Sequence, residues 1–121
     1  MPTILIADDD PVMQSLLNGL LTAQGHTVHI AGNGADAVSA TASLQPDLIV
    51  MDMSMPGVTG FQAVRQIRAQ TGAAPPIIGL SAHTLPEDYT EAYTAGCTAF
   101  ISKPFQPRAL LERIRDLLKS P

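Results

Sequence analysis

Leu48-Ile49-Val50-Met51-Asp52 is the run from which the architecture of this chain can be read. Its four apolar residues are too few for a helix, and they are bracketed by Pro46-Asp47 and Met55-Pro56-Gly57. Such a run reads as a strand buried on both faces, the habit of parallel sheets. In an open parallel sheet, ligands bind in the crevice beyond the carboxyl ends of the strands. Asp52 closes this strand and therefore stands where chemistry is expected.

Similar runs recur on either side. Thr3-Ile4-Leu5-Ile6-Ala7 is a second buried strand, ending in Asp8-Asp9-Asp10. Asp10 before Pro11 is a helix start, followed by Val12, Leu16, Leu17, Leu20 and Leu21 as the apolar face and closed by Gln24-Gly25. This gives Asp10 a capping duty and leaves Asp8 and Asp9 without one. His26 to Ala31 reads as a short strand, and Asn33 as the cap of an Ala-rich helix running to about Leu44. Beyond Asp52, a helix is expected from near Gly60, with Phe61, Val64 and Ile67 on one face and Arg65 and Arg68 on the other. Pro75-Pro76 opens a fourth strand, Ile77 to Leu80, stopping at Ser81. A helix near Pro86-Glu87, a strand from Thr98 to Ile101 and a break at Lys103-Pro104 come next. The last helix carries Leu110, Leu111, Ile114, Leu117 and Leu118 inward, with Arg108, Glu112, Arg113, Asp116 and Lys119 outward. Strand and helix alternate five times, which calls for an α/β sandwich: a parallel sheet with helices on both faces and right-handed crossovers.

Composition narrows the function. A chain of 121 residues is the size of one domain, and residues 1–121 are read as one. A formal net charge of -4 lacks the basic excess that a phosphate backbone demands, so direct nucleic-acid binding is not expected. Cys97 is the only cysteine, which excludes an intrachain disulfide or a thiolate zinc site and suits a reducing, cytoplasmic setting; it reads as a small hydrophobe. No apolar run approaches the roughly 18 residues of a membrane span. His26, His29 and His83 are scattered over different segments and are not expected to be ligands; Met51, Met53 and Met55 read as core filling.

The strand ends bring Asp8, Asp9, Asp52 and Ser81 to one rim, with Lys103 just past the fifth strand. Three carboxylates held together repel one another unless a cation neutralises them. Oxygen-only ligands suit Mg2+, which binds through one or two carboxylates and keeps positions for water and phosphate. Lys103 and Ser81 add the fixed positive charge and hydroxyl donor that the equatorial oxygens of a phosphoryl group require. A carboxylate can itself be the nucleophile, forming an acyl phosphate, and Asp52 on the central strand is the expected one.

Asp8-Asp9, the segment Asp52-Met53-Ser54-Met55-Pro56-Gly57, Ser81-Ala82 and Lys103-Pro104-Phe105, in this order and spacing, closely resemble the receiver domain of two-component response regulators. The resemblance covers essentially the whole chain and implies the doubly wound (βα)5 flavodoxin-like fold, a five-stranded sheet of order 2-1-3-4-5. It implies that Asp52 accepts a phosphoryl group from a phosphohistidine of a sensor histidine kinase or histidine phosphotransfer protein. Asp8, Asp9, Asp52 and the backbone carbonyl of Ser54 would hold Mg2+, and Lys103, before a cis bond to Pro104, would pair with the phosphate. Ser81 and Phe100 match the family's switch pair, and a downstream protein or output domain would dock on the fourth helix, fifth strand and fifth helix. Phe100 stands where tyrosine is frequent, so the readout would rest on packing. Thr59 stands where many receivers have an acidic residue, and Ser54 and His83 match positions that tune the lifetime of the phosphoryl group.

Other classes fit less well. A phosphorylation-independent interaction module with this fold has no need of all five rim groups. Phosphatases with an aspartyl nucleophile commonly place a second Asp two residues on, where Ser54 stands, and a flavin would meet an acidic first loop. No turnover on other substrates is expected, only the chain's own phosphorylation and dephosphorylation. No output domain follows Leu118, so the chain reads as a single-domain regulator, which Met1 favours, or as a receiver from a larger protein, which the likeness of Ser81 to Asp88 to hybrid-kinase receivers favours.

Overall fold

A computed structural model describes residues 2–82 and 84–119. Strands and helices alternate as β1 (Thr3–Ala7), α1 (Pro11–Ala23), β2 (Thr27–Ala31), α2 (Gly34–Leu44), β3 (Leu48–Asp52), α3 (Gly60–Thr71), β4 (Ile77–Ser81), α4 (Pro86–Ala95), β5 (Ala99–Ser102) and α5 (Pro107–Lys119). All pairings are parallel, and the sheet order is β2-β1-β3-β4-β5.

The sheet divides the core into two layers by the alternation of side chains along each strand. Leu5, Ile49, Met51 and Ile77 face the layer of α2, α3 and α4, which contributes Ala37, Val64, Ile67 and Ala92. Ile4, Ile6, Leu48, Val50, Ile78 and Leu80 face α1 and α5, which contribute Leu17, Leu21, Leu110 and Ile114. Both sets are fully buried or nearly so, which is why the inner strands read as continuous apolar runs. Met51, Met53 and Met55 are core residues of the first layer, as expected.

The helix ends follow the sequence closely. Asp10 accepts a hydrogen bond from the Val12 amide at 3.0 Å, and Asn33 from the Asp36 amide at 2.8 Å. Thr59 forms a reciprocal capping box with Gln62, which gives this departure from the family pattern a structural duty at the start of α3. Gly60 follows because a Cβ there would run into the backbone of Asp52 and Met53. The absent side chain lets α3 begin directly against the loop of the proposed acceptor.

Three details differ from the sequence reading. β2 begins at Thr27 and β5 runs from Ala99 to Ser102, each offset by one residue. Val12 and Leu16 do not belong to the buried face of α1; they are 76% and 45% exposed, and Met13 packs with Leu17 and Leu21 instead. Arg68 does not point outward like Arg65. Its Nε donates to the Gly96 carbonyl at 2.9 Å, tying α3 to the turn between α4 and β5. The Lys103–Pro104 bond is cis, as the resemblance implied, and so is Ala74–Pro75.

Candidate active site

The register of the sheet assembles the rim. Ala7 pairs with Met51, so the residues that follow them, Asp8 and Asp52, stand side by side at the carboxyl edge. Asp52 in turn pairs with Leu80, and Ser81 with Ser102, which sets Ser81 and Lys103 on the other flank. Carboxylate oxygens of Asp8, Asp9 and Asp52 lie within 4.8 Å of one another. Lys103 Nζ is 3.6 Å from Asp52 Oδ1 and 3.9 Å from Asp8 Oδ2. Ser81 is buried beside them, whereas Asp9 is exposed. His83 lies outside the described residues.

Asp8 is the most constrained of the three carboxylates. Its amide donates to the Ala31 carbonyl at 3.1 Å, its own carbonyl accepts from Gln14 Nε2 at 2.6 Å, and its Oδ1 accepts from the Asp10 amide at 2.9 Å. Oδ2 is enclosed and has no hydrogen-bond partner among the described residues. Burial pushes the Asp8 carboxyl above its ordinary pKa; the Asp10 amide opposes this, the neighbouring Asp52 adds to it, and Lys103 offsets part of it. A buried, unsatisfied anionic oxygen facing two more carboxylates is a donor set made for a hard cation. The residues present therefore fit Mg2+, with Asp8, Asp9 and Asp52 supplying side-chain oxygens.

Asp52 is 6% exposed, and its Oδ1 accepts from the Ser54 amide at 3.0 Å. This bond turns the chain sharply after β3, and Ser54 itself is exposed at the rim. Phe100 is 6% exposed and points into the core from β5, where Tyr89 of α4 meets it edge to face at 4.9 Å and 84°. Gly79 opposes it across the sheet, and a Cβ there would come within 3.1 Å of the Phe100 ring.

All seven residues singled out in the sequence thus fall on one region: Asp8, Asp9, Asp52, Ser54, Ser81 and Lys103 at the rim, and Phe100 one strand away. Gln14 and Tyr89 were missed. Neither carries a motif; Gln14 matters only because α1 turns it back over Asp8, and Tyr89 only because α4 lays it on Phe100. Arg68 was noticed but assigned to the wrong face.

A doubly wound parallel sheet with an acidic cluster and one lysine at its carboxyl edge defines an open α/β protein whose polar groups gather in the crevice where ligands of such sheets bind. Comparison with known proteins narrows the class. The chain belongs to the response regulator receiver domain family, which it matches over residues 4–115. It is 34% identical over 116 residues to the DNA-binding response regulator MtrA of Mycolicibacterium smegmatis, covering 96% of this chain and 50% of that protein. It is 37% identical over 119 residues to the transcriptional regulatory protein AfsQ1 of Streptomyces coelicolor, covering 98% and 52%. The chain thus spans about half the length of these relatives. Among solved structures it is similar to the chemotaxis protein CheY4 of Vibrio cholerae, with a TM-score of 0.91, 30% identity and coverage of 97% and 98%. It is also similar to the receiver domain of the sensor histidine kinase PA1611 of Pseudomonas aeruginosa, solved with a magnesium ion in its active site cleft, with a TM-score of 0.90, 32% identity and coverage of 98% of each chain. Among the described residues no helix is long and apolar enough to cross a membrane.

Proposed function

We propose that this receiver domain is a phosphorylation-controlled switch in which Asp52 takes a phosphoryl group from a phosphohistidine of a sensor histidine kinase or histidine phosphotransfer protein. The observation that carries the reading is the packing of three carboxylates within 4.8 Å of one another beside Lys103. An Asp52 carboxylate oxygen forms the new bond to phosphorus as the phosphorus–nitrogen bond to the donor imidazole breaks, and the imidazole nitrogen leaves with the electron pair. Asp8, Asp9, Asp52 and the Ser54 carbonyl would hold Mg2+, and the bound ion would supply charge neutralisation for the phosphoryl oxygens. Lys103 Nζ, already 3.6 Å from Asp52, pairs with another of those oxygens. Dephosphorylation is attack by a water molecule on phosphorus: the bond from phosphorus to the Asp52 oxygen breaks, inorganic phosphate leaves, and Asp52 keeps the electron pair as the free carboxylate. The chain in this reading catalyses its own phosphorylation and dephosphorylation and no turnover on other substrates.

The Ser81 hydroxyl donates to the new phosphoryl group, and the resulting pull on the end of β4 holds Phe100 in the inward position it takes in this structure. The face of α4, β5 and α5 beside Phe100 then presents itself to a downstream protein or output domain. Leu85, just before α4, and Tyr89 and Tyr93 within it stand exposed at i, i+4 and i+8 and supply an apolar stripe for that contact.

Intact-mass spectrometry after incubation with acetyl phosphate tests the chemistry. A gain of one phosphoryl group that needs Mg2+, is abolished by EDTA and is absent from Asp52→Asn is the expected result. A folded protein that neither gains the group nor consumes the donor would contradict it and leave an interaction module.

A further inference from the structure

Along α5, facing Pro2 and the turn after α1 at Gln24, runs an open groove of about 610 Å3. One wall is a stripe of α5 formed by Arg108, Leu111, Glu112, Arg115, Leu118 and Lys119. These positions follow the helical repeat and lie on one face. Pro2 and His26, which lead into β1 and β2, line the other side. Leu111 and Leu118 are half-buried and give the groove an apolar base continuous with the core beneath α5. The His26 ring is half-buried, and its Nδ1 is enclosed with no hydrogen-bond partner among the described residues.

The charge of this groove opposes that of the molecule. Three of the chain's seven lysines and arginines line it against one of its eleven acids, on a protein of net charge -4. We infer that the groove docks an acidic, partly apolar peptide segment of a partner protein. Its length supports a peptide over a small ion: from Arg108 to Lys119 the helix rises about 16 Å, the span of about five residues of extended chain. The apolar base accommodates alternate side chains while the cations meet the carboxylates between them. A nucleic acid is disfavoured because three cations interrupted by Glu112 fall short of the basic excess that a phosphate backbone demands, and the apolar base formed by Leu111 and Leu118 has no match in that backbone. None of Asp8, Asp9, Asp52, Ser81, Phe100 and Lys103 lines the groove, so the inference stands apart from the phosphoryl chemistry.

Amide chemical shifts of the whole chain, titrated with a nonapeptide of alternating leucine and glutamate, test it. Saturable shifts at His26, Leu111 and Leu118 are expected. They should weaken at least threefold when salt is raised to about 1 M, where the Debye length falls to ~3 Å. They should vanish in the double variant Arg115→Glu, Lys119→Glu, whose exposed positions leave the core untouched, with Lys119→Glu alone as a milder second variant that weakens them. Absence of saturable shifts, an equal response to the same peptide with lysine for glutamate, or an unchanged response in the variants would overturn the inference. The same shifts produced by inorganic phosphate alone would overturn it in favour of a small-anion site.

Discussion

Asp8 carries the electrostatic tension of this site. Because burial raises its pKa, the folded state holds a proton that the unfolded state has already released as pH climbs above the ordinary carboxylate range. The native state therefore loses stability as pH rises through the folded pKa, and the cost persists at neutral pH unless a cation removes it. Asp8→Asn should accordingly melt higher than the parent at pH 7 in EDTA, and the order should reverse in saturating Mg2+, which stabilises only the parent by binding; calorimetry in both buffers checks this. Gln14 acts one step further out. Its amide holds the Asp8 carbonyl at 2.6 Å, so Gln14→Ala should weaken Mg2+ binding about tenfold, the lower end of what a lost outer partner of a metal ligand costs, as read by isothermal titration. Unchanged affinity would show that the Asp10 and Ala31 contacts position Asp8 by themselves.

At the level of elements, the turn between α4 and β5 deserves its glycine. Gly96 has φ +124°, and a Cβ there would run into the Arg68 side chain that reaches its carbonyl. Gly96→Ala should cost about 1–3 kcal/mol in urea unfolding, from backbone strain together with the displaced arginine. Cys97 beside it is 6% exposed, and burial pushes its thiol up to about 11, in keeping with the small-hydrophobe reading. Two helix starts were legible because capping chemistry is local: Asp10-Pro11 and Asn33 each announce a first turn within three residues, whereas the capping duty of Thr59 emerged only from the structure. The face a side chain takes is not local. Val12 and Leu16 satisfy the helical period yet stay exposed because α1 meets the sheet along Met13, Leu17 and Leu21. Arg68 looks like a solvated charge until α4 brings a carbonyl within its reach.

Over the whole molecule, the site was readable for the same reason the fold was. A parallel sheet buried on both faces leaves its inner strands almost no polar residues, so polar groups at their carboxyl ends stand out in the sequence and share one edge in space. The register then places Asp8 beside Asp52 without any further information. Contacts made between layers, such as Tyr89 on Phe100 or Gln14 on Asp8, depend on how helices settle on the sheet and leave no motif behind. The account stands on Asp52 as the phosphoryl acceptor, ahead of two other carboxylates within 4.8 Å. Borohydride reduction of the acetyl phosphate-treated protein converts an aspartyl phosphate to homoserine, and peptide mapping locates it. Homoserine at residue 52, formed only with Mg2+, is the predicted result; homoserine at residue 8 or 9, or its formation in Asp52→Asn, would contradict it.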